Sequence, residues 1–410
     1  MKKINKLLVL AIISLWVTQA NVAWGKSRGD NAQESQGTYQ VKIGESNPQA
    51  LARFEKGQNL YIKGDFKGAE AAFREAIALD PAFAPAYVGL GNALDDQGKS
   101  QAAIASYNQA IQLDPQSPEA HFNLGLTLAK LDRYAEAIAE YQKTINLNPQ
   151  YARAYYSLGN IYYYQNNLKA AITNYQAAVR LDPKNIKAYI SLGNALYDQN
   201  KITEAITQYQ QAISLDPENA EPHYYLGSAL YDQGKTAEAI AEYQTTIRLR
   251  PDYAQTYVKL GNALYDQGKM DDAIAQYQKA ISLDQQNTDA HYNLGNALYE
   301  QGQLTAAATE YSTVIKLQPR SAKAYTGLAN TLDDQGQVQA AISNYQKAIS
   351  IDPNYGYAYY NLAITLHKQK RVDEALKHLN KARDLFQSQK NQDMLEQVNK
   401  LYQDINSRIN

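Results

Sequence analysis

LGNALYDQGK, residues 260–269, returns along the chain with small edits: LGNALDDQGK at 90–99, LGNALYDQNK at 192–201, LGSALYDQGK at 226–235, LGNALYEQGQ at 294–303 and LANTLDDQGQ at 328–337. The starts differ by 34 residues or multiples of 34. A fixed period of that size means a stack of small identical units and not one globular core. An array of this kind is a single elongated body whatever its length, which overrides the two or three domains that 410 residues would otherwise suggest.

Repeats starting at residues 50, 84, 118, 152, 186, 220, 254, 288, 322 and 356 give ten units of 34 with no slip of register. Position 20 of the unit is alanine every time, from Ala69 to Ala375. Position 8 is glycine from Gly57 to Gly295, then Ala329 and Ala363. Position 24 is aromatic from Phe73 to Tyr345, and position 32 is proline except at Gln285 and Gln387. In the seventh repeat Tyr257, Leu260, Gly261 and Leu264 fall at i, i+3, i+4 and i+7, one face of a first helix. Ala273, Ile274, Tyr277, Ala280 and Ile281 form the apolar face of a second. Gly268 lies between them, where a left-handed helix-ending residue is needed, and the same slot holds Gly, Asn or Asp in nine repeats. Glycine and alanine at positions 8 and 20 let the two helices approach closely.

The pattern Tyr257-x2-Leu260-Gly261-x2-Leu264, then Ala273-x3-Tyr277, resembles the tetratricopeptide repeat. The resemblance covers residues 50–389. It implies an all-α fold: a right-handed α-solenoid, or superhelix, of helix-turn-helix repeats whose first helices line the concave side. Beyond it Met394, Leu395, Val398, Leu401, Tyr402 and Ile405 keep a helical period, so 390–410 is expected to be a C-terminal capping helix, with self-association as the alternative.

The N-terminus has the grammar of an export signal. Lys2, Lys3 and Lys6 precede an apolar run at 7–17, and small residues follow near Ala20 and Gly25. Eleven residues rise about 16 Å as a helix, too short to span a bilayer. Residues 1–25 are therefore expected to be a signal peptide and 26–49 a disordered linker, leaving no stable membrane span after cleavage. The expected location is the periplasm or outside the cell, with an uncleaved N-terminal anchor as the alternative. The net charge of −1 offers no electrostatic case for nucleic acid, and the absence of cysteine removes disulfides and thiol chemistry.

A helix turns about 100° per residue, so positions 9, 12 and 13 of the first helix turn away from the packed positions 4, 7, 8 and 11. Position 9 is Asn92, Asn160, Asn194, Asn262, Asn296 and Asn330. Position 12 includes Tyr61, Tyr163, Tyr197, Tyr231, Tyr265 and Tyr299. Position 13 includes Asp96, Asp198, Asp232, Asp266, Glu300 and Asp334. An asparagine ladder offers donors and acceptors at regular intervals, which suits the backbone of an extended peptide. The acids close their helices, where the dipole disfavours them, with Lys99, Lys201, Lys235 and Lys269 three residues on as partners. They predict a groove that prefers neutral or basic segments. Position 5 carries no lysine, which argues against the family's carboxylate clamp.

His121, His223 and His291 all stand at position 4, in place of the core tyrosine, and read as packing residues and not metal ligands. No catalytic constellation, cofactor motif or metal-ligand spacing stands out from the repeat. The expected function is an exported, non-enzymatic scaffold that binds a protein or peptide ligand. The alternatives are an accessory subunit of an envelope polysaccharide-assembly or secretion system, and a direct glycan binder.

Overall fold

A computed structural model describes residues 47–407; the expected signal segment and nearly all of the expected linker lie outside the described residues. The described residues form 21 α-helices and no strand. Ten pairs run in order: α1 (Pro48–Ile62) with α2 (Phe66–Leu79), α3 (Ala84–Asp96) with α4 (Ser100–Leu113), α5 (Pro118–Lys130) with α6 (Tyr134–Leu147), and α7 (Ala152–Tyr164) with α8 (Leu168–Leu181). They continue as α9 (Ile186–Asp198) with α10 (Ile202–Leu215), α11 (Ala220–Asp232) with α12 (Thr236–Leu249), and α13 (Ala254–Asp266) with α14 (Met270–Leu283). The last three are α15 (Thr288–Glu300) with α16 (Leu304–Leu317), α17 (Ala322–Asp334) with α18 (Val338–Ile351), and α19 (Gly356–Lys368) with α20 (Val372–Ser388). A final helix, α21, spans Gln392–Ser407.

The chain divides inside α9 into two compact units, Met1–Ala195 and Leu196–Asn410. In the first, each helix from α1 to α8 packs on the next, and the first helices α1, α3, α5 and α7 also touch in succession. In the second, the same holds from α10 to α21, with α11, α13, α15, α17 and α19 touching in succession. The first helices thus make a continuous wall in each unit.

The expected linker yields its last residues to helix. Asn47 caps α1 by accepting from the Gln49 N–H at 2.9 Å, and Pro48 takes the first turn, where a missing N–H costs nothing. The turn within every pair passes through positive φ at position 15, from Gly64 to Gly336 and through Asp132, Asn166 and Asn200. Lys370 adopts it too, at φ 60°, so the backbone demand persists where the sequence no longer favours it.

The tightest packing joins positions 8 and 24. A Cβ on Gly261 would stand 2.5 Å from Cε1 of Tyr277, and one on Gly91 2.4 Å from Cε1 of Tyr107. Glycine is there to receive the tyrosine ring, a more specific reason than close helix approach alone. Tyr107, Tyr141, Tyr175, Tyr243 and Tyr277 are buried this way. Each contributes about 1.5–3 kcal/mol as a fully buried large side chain.

The ends of the array are treated differently. On α1, Arg53, Glu55, Lys56 and Gln58 are exposed, so this helix carries a polar outer face of its own. At the other end Met394, Val398 and Ile405 of α21 are buried in a cluster with Leu379 and Phe386 of α20. No helix among the described residues is long and apolar enough to cross a membrane.

Candidate functional site

The first-helix wall carries the asparagine, tyrosine and acid rows, and each row has bonds of its own. The position-24 tyrosine lies across position 8, glycine in all but the last of the following cases, and its hydroxyl reaches the asparagine beside it. Tyr107 donates to Asn92 Oδ1 at 2.8 Å, Tyr175 to Asn160 at 2.8 Å, Tyr277 to Asn262 at 2.9 Å, Tyr311 to Asn296 at 2.7 Å and Tyr345 to Asn330 at 2.7 Å. Asn262 and Asn330 each accept a second bond, from Nδ2 of Asn293 and Asn361, both at 2.9 Å. Asn194 is buried. The helical wheel expects these side chains to face away from the core with donor and acceptor both open. Instead the carbonyl oxygen of five of them already accepts a tyrosine hydroxyl, which turns at least one of its two lone pairs inward. The wheel misses this because it describes one helix, and the bonding hydroxyl comes from the other.

The acids also have partners, and not the lysines expected from sequence. The position-12 tyrosine of one repeat donates to the position-13 acid of the next: Tyr61 to Asp96, Tyr197 to Asp232, Tyr231 to Asp266, Tyr265 to Glu300 and Tyr299 to Asp334. Burial, and then the neighbouring carboxylate, hold the phenols of Tyr197, Tyr231, Tyr265 and Tyr299 well above the usual tyrosine range, so they stay donors. Two links have the same positions with the roles exchanged. Lys130 Nζ lies 3.7 Å from Asp95 Oδ1, and Lys368 Nζ 3.0 Å from Asp333 Oδ2. Lys99 pairs with Glu70 at 2.8 Å and Lys201 with Glu204 at 4.0 Å. Tyr163 and Asp198 occupy the same two positions of the fourth and fifth repeats. The acid row is therefore part of a staple between successive first helices. Asp198, Asp232 and Asp266 remain exposed.

His121, His223 and His291 share one geometry. Nδ1 lies 2.5 Å from Glu140, 2.6 Å from Glu242 and 2.6 Å from Glu310, each on the second helix of the same pair. Nε2 faces the backbone carbonyl six residues earlier, at Pro115, Pro217 and Gln285. Tyr257 donates to the equivalent carbonyl, Pro251 O, at 3.0 Å, so Nε2 stands in for the tyrosine hydroxyl. No group of three or more His, Cys, Asp or Glu side chains among the described residues could hold a metal ion.

Two features of the wall have no single-residue signature in the sequence. In the first compact unit, the Arg153 guanidinium sits over the Phe122 ring, 4.8 Å from its centroid. Burial pushes the nearby Glu119 carboxyl up to about 7, opposed by the Arg153 charge. In the second, residues of α13, α15, α16, α17 and α19 and of the turn before α19 line an open pocket of about 260 Å³. Its lining includes Asn296, Asn330, Tyr265 and Tyr299 from the expected rows, together with Tyr292, Lys323, Thr326 and Tyr355, which those rows do not contain.

Comparison with known proteins agrees with the repeat. A sequence model described as TPR repeat matches residues 57–98, 91–132, 128–165, 159–199, 193–234, 227–268, 261–302 and 295–334, and one described as Tetratricopeptide repeat matches 334–397. No protein of curated function matches the chain. Three solved structures are similar to parts of it. One is YrrB, described as a TPR protein with an unusual peptide-binding site, at 23% identity over 48% of this chain and 97% of its own, with a TM-score of 0.40. A second is MamA, at 32% identity over 40% of this chain and 95% of its own, with a TM-score of 0.37. The third is yeast Tom70, at 15% identity over 88% and 96%, with a TM-score of 0.44.

Proposed function

The chain belongs to the tetratricopeptide repeat family, whose repeats make protein-binding scaffolds, and from that premise we propose that it holds extended peptides along its first-helix wall. The observation that supports this most is the state of the asparagine row. With Oδ1 of Asn92, Asn160, Asn262, Asn296 and Asn330 fixed by tyrosine hydroxyls, each amide is pinned in one orientation. A row of oriented N–H donors suits a ligand that presents carbonyl oxygens at intervals, as an extended backbone does. Pre-oriented donors also lower the ordering cost of binding. Exposed Asp198, Asp232 and Asp266 favour neutral or basic side chains along the same wall.

The role is that of a scaffold and not of a catalyst. We place the protein outside the cytoplasm, on the strength of Lys2, Lys3 and Lys6 ahead of the apolar run at 7–17. Selection of a random decapeptide library on the full chain tests the binding reading. Selected peptides should be enriched in lysine, arginine and neutral residues, and should lose about tenfold in affinity when Asp198, Asp232 and Asp266 are changed together to lysine. Peptides rich in aspartate and glutamate, bound equally well by the charge-reversed protein, would contradict it. Signal processing is tested separately, by N-terminal sequencing of the protein from its native cell: cleavage after Ala20 or Gly25 is expected, and an intact Met1 would count against export by this signal.

A further inference from the structure

Four repeats carry an aromatic residue at their last position, 34: Phe83, Tyr151, Tyr253 and Tyr355. In three of them it packs on an aromatic at position 5 of the same repeat. Phe54 and Phe83 have ring centroids 5.1 Å apart, Phe122 and Tyr151 5.0 Å, and Tyr224 and Tyr253 5.3 Å. These are the separations at which aromatic pairs attract beyond simple burial. The ninth repeat breaks the pairing. Its position 34 is Tyr355, but its position 5 is Thr326, and Tyr355 and Thr326 both line the 260 Å³ pocket of the wall. Where the other three repeats place a ring, this one has open space.

We propose that this pocket is a subsite for one aromatic side chain of a bound polypeptide, lying beside Thr326 where the other three repeats place a ring, while the Tyr355 ring itself packs on Tyr357 with centroids 5.6 Å apart. This rests on the peptide-binding reading above and names the anchor residue that such a ligand would carry. The chemistry of the lining bears on the occupant. Part of its accepting capacity is engaged: Glu300 takes the Tyr265 hydroxyl, Asn296 Oδ1 that of Tyr311, and Asn330 Oδ1 the Tyr345 hydroxyl and the Asn361 amide. The lining carries one charge of each sign, Glu300 and Lys323, so a charged side chain of either sign meets one like charge as well as one opposite charge. A neutral ring meets no like charge. It packs edge-on or offset against Tyr355 and Tyr292, and Lys323 adds attraction to its face. The volume holds one side chain and not a folded partner.

The test uses the protein's own template. Thr326→Phe places a ring where Phe54 and Phe122 carry one, so it should fold and should not lower the melting temperature. Acetylated, amidated Gly/Ser octapeptides with one central Phe, Leu, Asp or Lys are titrated into the full chain and into the T326F variant. N-acetyl-phenylalaninamide serves as a probe of the pocket alone. The expected result is at least a tenfold preference for Phe over Leu, Asp and Lys in the native protein, abolished by T326F. Competition by N-acetyl-phenylalaninamide should be lost with it. A Phe preference untouched by T326F overturns the assignment, as does preference for Asp or Lys. A chito-oligosaccharide that binds the native protein but not T326F would make the pocket a sugar site instead. Binding of Lys peptides that falls on charge reversal, with no aromatic preference, removes this inference and leaves the peptide groove standing. Absence of binding by every probe removes both.

Discussion

Asn262 shows how far a residue's role can depend on a neighbour its own helix does not contain. It accepts from Tyr277 and from Asn293, so Asn262→Leu leaves two donors without a partner. The expected loss is about 1–3 kcal/mol, read from the urea midpoint of the full chain. Gly261 makes that contact possible by leaving room for the ring. Gly261→Leu should cost about 1–3 kcal/mol by overpacking. Lys370 gives the opposite sign. It holds φ 60° where most repeats use Gly, so Lys370→Gly should raise stability by about 1 kcal/mol, relief of left-handed strain being partly offset by chain entropy. Glu119 supplies a pH signature. Its folded pKa of about 7 lies above its unfolded value, so its contribution is fully present in acid and is lost as pH rises through 7. Glu119→Gln should flatten that part of the profile between pH 4.5 and 8. Of these four residues, the slot at 370 and the glycine were legible in the repeat pattern. The bonding of Asn262 and the burial of Glu119 depend on side chains from other helices, which a single helix's periodicity does not encode.

Between elements, the bond from position 12 to position 13 of the next repeat is the recurring device. Tyr231 and Asp266 join α11 to α13, and Asp333 and Lys368 repeat the link between α17 and α19 with a salt bridge. Tyr231→Phe and Asp266→Ala should each cost about 0.5–1.5 kcal/mol, and the double variant little more than either, since each removes the same hydrogen bond. A double variant whose cost equals the sum would show that the two side chains act independently. The residues of this link stand plainly in the sequence: where position 12 is Tyr, the next position 13 is acidic, and where position 12 is Asp95 or Asp333 it is lysine. Reading each repeat as a separate unit hides the pattern, because its two halves lie 35 residues apart. The helices themselves were legible because apolar spacing, the position-15 turn and the proline at position 32 all agree in eight of the ten repeats. The start of α1 at Pro48 was not, since Pro48 and Gln49 precede the first apolar residue of the period.

At the scale of the molecule, a nearly neutral chain of repeated helix pairs invests its buried surface in neighbours and leaves, in each compact unit, a wall of first helices rich in amide, phenol and carboxylate groups. The family was legible from the period; the partner was not, because a repeat sequence specifies contacts between repeats far more strongly than contacts with anything else. The proposal that peptides bind along the first helices is tested most directly by site-specific photocrosslinking. Benzoylphenylalanine is placed at Lys259, on the first helix α13, or at Lys279, exposed on the second helix α14. A library-selected decapeptide should crosslink from position 259 and not from 279. Crosslinking from 279 with none from 259 would contradict the account.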